Sequence, residues 1–284
     1  MSDLICLSPQ ATSDAGMIEL WLDTQRSPAT RAGYAGEIRA LQAFSSIPLR
    51  EITIRDLQAF ASTLDHLAPA TICRRLAAVK SLFKLGHRLG YLQFDVAAPL
   101  PLPTIRDTLS ERILTEWDVQ RMLAREPNAR NAALLRLLYG AGLRISEPCN
   151  LRWRDLTPRD DAGQVTILGK GGKTRFILLS APLWTRLSAL RGNSGPDDAV
   201  FRSRQGGALS RREVHRIVKA AARRAGLAST VSAHFLRHSA CSHALDRGCA
   251  VHVVQTSLGH ASLSTTTRYS HARPNDSISR YLNA

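Results

Sequence analysis

Apolar positions in the first hundred residues recur at helical intervals. Tyr34, Ile38, Leu41 and Phe44 follow Ser27-Pro28, a capping residue and a proline whose fixed φ suits a first helical turn. This predicts a long helix over Ala29 to Phe44. Thr53 is placed to cap a second helix carrying Leu57, Phe60 and Leu64. Pro69 opens a third, with Ile72, Leu76, Val79, Leu82, Phe83 and Leu85 inside it. The other side of that helix presents Arg74, Lys80, Lys84 and Arg88, the last three spaced four apart and so aligned in one stripe. Such a stripe is ordinarily a solvated face, and it is equally a surface that can rest on phosphates.

The pattern then breaks. Ala97 to Pro103 holds Pro99, Pro101 and Pro103, which cannot continue a helix and favour an extended connector. We place a helical domain over residues 1–98, a linker over 99–107 and a second domain over 108–284. Beyond the linker, Thr115 caps a helix around Trp117 to Ala124, and another runs from Arg130 to Tyr139 before Gly140-Ala141-Gly142. Gln164 to Leu168 and Thr174 to Leu179 are β-prone runs separated by Gly169-Lys170-Gly171-Gly172-Lys173, which reads as a hairpin with a glycine-rich tip. After Leu183 the pattern is helical, interrupted at 192–198 and near Gly226, Gly248 and Gly259. The predicted fold class is mainly α with a small antiparallel β-sheet: an all-helical N-terminal domain followed by an α+β domain, with no internal repeat.

Composition supports two globular domains, with 44% hydrophobic residues in 284. No stretch approaches the roughly 18 to 20 apolar residues of a membrane span. Asp3 stands where a secretory signal carries positive charge, so a soluble, intracellular protein without a membrane partner is expected. Cys6, Cys73, Cys149, Cys241 and Cys249 are odd in number and contain no C-x-x-C pair, which points to reduced thiols.

Charge changes the picture. The formal net charge is +15, and it is unevenly spread: residues 1–110 hold 11 basic and 10 acidic side chains, residues 111–284 hold 27 and 13. The second half therefore carries almost all of the positive field, which favours a polyanionic partner.

Five segments of that basic half stand out. They are Gly142-Leu143-Arg144-Ile145-Ser146-Glu147; Gly169-Lys170-Gly171-Gly172-Lys173-Thr174-Arg175; His234-Phe235-Leu236-Arg237-His238; Leu258-Gly259-His260; and Thr265 to His271 around Tyr269. Singly, each has an ordinary structural reading. In their order Arg, Lys, His-x-x-Arg, His, Tyr they resemble the signature of the tyrosine recombinase (phage integrase) family, closely from about Thr115 to Tyr269. Over the first domain the resemblance is one of helical pattern and length only. Arg237 and His260 stand 23 residues apart, and His260 and Tyr269 nine.

The resemblance implies a core-binding helical domain and a catalytic domain closing on opposite sides of a DNA duplex. It implies Arg144, Lys170, His234, Arg237 and His260 as catalytic residues and Tyr269 as the nucleophile. Two guanidiniums, Arg144 and Arg237, would hold the nonbridging oxygens, since a guanidinium stays charged at any physiological pH. Lys170 matches the family's lysine and would protonate the leaving 5′ oxygen. His234 would accept the phenol proton, because imidazole titrates near neutrality, and His260 would donate a hydrogen bond to the phosphate. A 3′-phosphotyrosine conserves bond energy, so no ATP, metal or cofactor is implied. Glu147 would orient Arg144 or its loop. Pro148 departs from the family's usual apolar residue and marks Glu147 as near a helix N-terminus.

Further DNA contacts are expected from Arg74, Lys80, Lys84, Arg88, Lys173, Arg175, Arg211 and Arg212. The partner would be duplex DNA with inverted half-sites, bound by a dimer and brought to a tetramer in synapsis, with a partner recombinase or a DNA-bending protein as possible accessories. The segment Asp276 to Leu282 is available to dock on a neighbouring subunit. The length leaves no room for the extra arm-binding domain of lambda-type integrases, which points to the simple, Xer-like two-domain kind, acting at the nucleoid in the cytoplasm. Three other readings compete. A type IB topoisomerase uses a similar residue set to relax supercoils as a monomer. A catalytically silent DNA-binding protein would not need all six positions. Zinc hydrolysis by His234, His238, His243, His252 and His260 lacks the glutamate of H-E-x-x-H and would place a guanidinium between the ligands.

Overall fold

The computed structural model describes residues 11–25, 27–169, 172, 174–259, 262, 266, 267 and 269. The chain divides into two compact units, Met1–Arg106 and Asp107–Ala284.

In the first unit the described residues form four helices, α1 (Asp14–Asp23), α2 (Pro28–Phe44), α3 (Ile54–Ser62) and α4 (Pro69–Arg88). Prolines at the first turns of α2 and α4, and a capping box between Thr53 and Asp56 on α3, set three of the starts where the sequence pattern places them. Helix α1 is not predicted by that pattern: Met17, Ile18, Leu20, Trp21 and Leu22 crowd together rather than recur at clear intervals. Its place is set by tertiary contacts. Trp21 stacks on Tyr34 at 5.1 Å and donates to Ser81 Oγ at 3.1 Å, while Asp14 accepts from Leu49 N and from the Tyr91 hydroxyl. Burial and the adjacent Asp14 push the Tyr91 phenol up to about 12, so it stays a donor.

The proline-rich segment begins inside this unit. Ala97 and Leu100 are buried in the helical core, and Lys80 Nζ donates to the carbonyls of Ala98 and Leu100, each at 2.6 Å. Lys80 therefore ties down the start of the connector and is half-buried, not open to solvent. Arg74 and Arg75 pair with the buried Glu37 of α2. Of the α4 stripe, Lys84 and Arg88 are exposed and form no ion pair with a described residue.

The second unit contains α5 (Glu116–Ala124), α6 (Ala129–Gly140), the short α7 (Glu147–Asn150), a three-stranded antiparallel sheet, α8 (Ala181–Ser188), α9 (Arg211–Arg224), α10 (Ala233–Asp246) and α11 (Val251–Leu258). The sheet runs in the order β1 (Leu156–Arg159), β2 (Ala162–Leu168), β3 (Thr174–Leu179). Strand β1 is an addition to the hairpin predicted from sequence; four residues including Pro158 carry too little pattern to be read. Helix α6, with Leu134, Leu135, Leu137 and Leu138 all buried, shares one core with Val165, Ile167, Ile177 and Leu179 of the sheet. Helix α7 starts at Glu147 with Pro148 in its first turn, as expected for a proline there. The four described cysteines are free.

Candidate active site

The site is built around the end of α11. Gly259 adopts a left-handed conformation (φ +65°) that terminates the helix, and the last carbonyls turn toward three arginines from three other elements. Arg175 Nε on β3 donates to Ser257 O at 2.8 Å, Arg237 Nη2 on α10 to Leu258 O at 2.7 Å, and Arg144 Nη2, in the turn before α7, to Gly259 O at 3.0 Å. Three consecutive carbonyls at the negative end of a helix thus each receive one guanidinium, an arrangement favoured by hydrogen bonding and by the helix dipole together.

Close approach explains the glycine ahead of Arg144. Gly142 has φ +58°, its carbonyl accepts from Arg237 Nη1 at 2.5 Å, and a Cβ there would fall 2.2 Å from Leu258 Cδ2. The loop after α6 can seat against α11 only without a side chain at this position.

Glu147 joins two of the arginines. Its carboxylate accepts from Arg144 N at 2.7 Å and Arg144 Nη1 at 3.1 Å, and in bidentate fashion from Arg175 Nη1 and Nη2 at 2.9 and 2.8 Å. Burial pushes this carboxyl up, but the Arg175 bonds, the Arg144 amide, the Arg175 charge and the Arg144 side-chain bond outweigh it and hold it below the usual range.

The three arginines differ in access. Arg237 is 5% exposed and Arg175 8%, whereas the Arg144 side chain is 37% exposed. Burial, followed by the charge of Arg144, lowers Arg237 to about 10, still far enough above neutrality to remain a cation. A cleft of ≈ 720 Å³ opens beside Arg144, walled by Asn150, Arg152, Arg154, Thr166 and Gly169.

Tyr269 is 5% exposed and packs with Leu109, Ile113, Cys241, Val254 and Leu258. Its hydroxyl lies 2.6 Å from His238 Nδ1, with ring centroids 5.7 Å apart. The imidazole that meets the phenol is therefore His238 and not His234, the residue assigned that task from sequence. His234 is exposed, one helical turn away on α10, with its ring 6.2 Å from that of His238. Desolvation, then the charges of Arg237, Arg112 and Arg144, lower its pKa and keep it neutral near pH 7.

A second correction concerns Arg175. Strand alternation turns it inward with Ile177 and Leu179, and its guanidinium is engaged by Glu147 and Ser257, so it is part of the framework of the site and not a phosphate contact on the surface. Lys170, Lys173, His260 and the segment Asp276 to Leu282 lie outside the described residues. On α9, Arg211 and Arg212 are exposed and form no ion pair with a described residue, while Arg224 pairs with Glu126.

A sheet-bearing helical unit in which buried arginines and a tyrosine gather at one helix end, with an exposed imidazole on the neighbouring α10, has the make-up of an enzyme acting on a phosphodiester. Comparison with known proteins gives the class. The phage integrase family pattern matches residues 112–276, and the N-terminal SAM-like domain of phage integrases matches residues 17–88. The tyrosine recombinase XerC of Xanthomonas campestris pv. campestris is 34% identical over 288 residues, covering 93% of this chain and 88% of the relative. Among solved structures, XerH site-specific recombinase bound to its difH substrate superposes with a TM-score of 0.73 at 24% identity, covering 96% of this chain and 84% of that one. A lambda integrase tetramer bound to a Holliday junction gives 0.75 at 17% identity, covering 95% and 81%. This chain belongs to the phage integrase family of tyrosine recombinases. It is a XerC-like, DNA breaking-and-rejoining enzyme of site-specific recombination. Among the described residues no helix is long and apolar enough to cross a membrane.

Proposed function

We propose that Tyr269 is the nucleophile that opens one DNA strand, leaving a 3′-phosphotyrosine and a free 5′ hydroxyl, and that Arg144 and Arg237 hold the scissile phosphate. The observation that carries this reading is convergence. Residues far apart in sequence meet at the end of α11, where Arg144 and Arg237 bind successive carbonyls and Tyr269 packs on Leu258. The transition state gathers charge on the nonbridging oxygens, and fixed cations in a dry setting stabilise it without reorganising. Arg144, the accessible one, exchanges its bond to Gly259 O for a phosphate oxygen. Neutral His234 donates an N–H to the same group, and Lys170 and His260 retain the roles that the family pattern gives them.

Lys84 and Arg88 on α4 and Arg211 and Arg212 on α9 are the phosphate and groove contacts of this reading. Two arginines in the first turn of a helix oppose its dipole; an adjacent polyanion removes that conflict. We further propose action on paired inverted half-sites, as a dimer on each site and a tetramer in synapsis, with a partner recombinase, on cytoplasmic, nucleoid DNA. Lambda integrase, seen as a dimer on a core site and as a tetramer on a Holliday junction, supports that assembly.

The test is covalent capture. The wild-type chain and Tyr269→Phe are expressed in cells carrying candidate genomic DNA, the lysate is denatured, and protein-linked DNA is sequenced. Recurrent ends linked through the 3′ phosphate in the wild type alone are expected, and they also reveal the target. Equal attachment in the variant would place the nucleophile elsewhere.

A further inference from the structure

The second unit begins with a short strap, residues 107–114, that runs against α10. Leu109 N donates to Asp107 Oδ1 at 3.0 Å, and Ser110–Arg112 form a single 3₁₀ turn. This turn brings Leu109 and Ile113, each 9% exposed, into the cluster that buries Tyr269 with Cys241, Val254 and Leu258. Two side chains of α10 then catch both backbone polar groups of one strap residue. Leu114 N donates to Ser239 Oγ at 2.9 Å, and Leu114 O accepts from His243 Nε2 at 3.0 Å.

Both side chains are themselves fixed. Ser239 Oγ donates to Phe235 O at 2.8 Å, which leaves its lone pairs for Leu114 N. His243 is 3% exposed, and because a carbonyl can only accept, its Nε2 carries hydrogen. Nδ1 of the neutral ring then accepts from the Tyr139 hydroxyl of α6, 2.8 Å away. Burial, followed by the Glu116 charge, raises the Tyr139 phenol above its ordinary value, so it stays a donor. Four residues further along α10, Arg247 pairs with Glu116 at 2.7 Å, but in solvent, where a pair contributes little. The buried hold on the strap is therefore the chain Tyr139–His243–Leu114, with Ser239 beside it. Apolar contact is non-directional and does not by itself set the strap's register; the two bonds at Leu114 are directional and short, and they do.

We propose that His243 is a positioning residue for Tyr269: by holding Leu114 it keeps Leu109 and Ile113 seated against the tyrosine. It acts through the strap and touches no reacting atom. Its effect on rate rests on Tyr269 as nucleophile; its effect on the surroundings of the tyrosine ring does not.

Two readouts separate these layers. The full-length protein is labelled with 3-fluorotyrosine, and the Tyr269 ¹⁹F signal is assigned as the one missing from Tyr269→Phe. His243→Leu removes the donor at similar volume, and the Tyr269 signal is expected to move toward that of an exposed fluorotyrosine. His243→Gln places an amide N–H near where Nε2 stood and is expected to keep the wild-type signal. Leu109→Ala, which leaves the buried bonds intact, is expected to move the signal as well. In the second readout, single-turnover cleavage is timed on a nicked duplex carrying the captured site, below the melting temperature of each variant. His243→Leu is expected to slow cleavage by about 10²-fold, the order of loss for a reacting group misplaced by about 1 Å, with DNA affinity unchanged. His243→Gln is expected to recover most of that rate. An unmoved signal in His243→Leu, or in Leu109→Ala should His243→Leu not fold, would overturn the proposal. A moved signal with wild-type cleavage, or equal slowing by His243→Leu and His243→Gln, would also reduce His243 to a packing role. Covalent product from Tyr269→Phe would instead remove the nucleophile reading, and the fluorine signals would still report on the strap.

Discussion

Arg175 and Arg237 are mostly buried in the second unit, with guanidiniums bonded to a carboxylate and to backbone carbonyls, whereas Lys84 and Arg88 on α4 and Arg211 and Arg212 on α9 stand in solvent without an ion pair to a described residue. In the sequence these are all basic side chains of a basic protein. In the fold they do different physical work. A buried guanidinium is held in place before DNA arrives, so its field costs no reorganisation when charge develops on phosphate. An exposed cation contributes by releasing counterions and is screened by salt. Arg144 lies between the two groups: anchored to Glu147 and Gly259, yet open enough to meet a ligand.

The largest effect is expected at the buried end. Arg175→Met leaves the Glu147 carboxylate buried with half its partners and frees Ser257 O, and is expected to cost about 3–5 kcal/mol of unfolding free energy. Denaturant titration reads this directly, and a change below about 1 kcal/mol would put Arg175 with the surface cations. Arg144→Ala is expected to lower the rate of covalent complex formation by about 10²–10³-fold, or about 2.7–4 kcal/mol in the barrier, with a smaller effect on stability than Arg175→Met. Single-turnover cleavage on a nicked site and a melting curve, taken together, give both numbers.

Acid acts on the same contrast. Because Glu147 is held below its ordinary value of 4.5, its contribution to stability is full above that value and disappears as pH falls through the lowered one. Unfolding free energies measured at pH 7 and at successively lower pH are expected to fall for the wild type. Glu147→Gln should start lower and lose that part of the slope. The smallest effects belong to the open cations. Lys84→Ala or Arg211→Ala should leave stability within about 0.5 kcal/mol, while lowering the slope of log affinity against log salt by about 0.9 for each phosphate no longer neutralised. An unchanged slope would exclude that residue from the DNA surface.

Much of this was readable along the chain, for identifiable reasons. Thr53, Pro28, Pro69 and Thr115 mark helix starts through local hydrogen bonding and fixed φ, which act over three or four residues. The spacing of Arg144, Arg237 and Tyr269 carries the family pattern. What stayed hidden depends on contacts between distant segments. On β3 the apolar Phe176 and Leu178 face outward at 61% and 63% exposure while the charged Arg175 faces inward. Polarity alone therefore assigns this strand the wrong face, and only Glu147 and the end of α11 explain the inversion. His238 did carry a signal: four residues after His234, it shares a helical face with it. Choosing between the two imidazoles needed the position of Tyr269, which no local pattern supplies.

Locating the protein–DNA bond itself decides whether Tyr269 is the nucleophile. A nicked duplex carrying the captured site is incubated with the wild-type chain, the covalent complex is digested with protease and nuclease, and the nucleotide-bearing peptide is sequenced by mass spectrometry. A nucleotide joined through its 3′ phosphate to Tyr269 is expected. A nucleotide on any other tyrosine, or on a serine or histidine, would contradict the assignment.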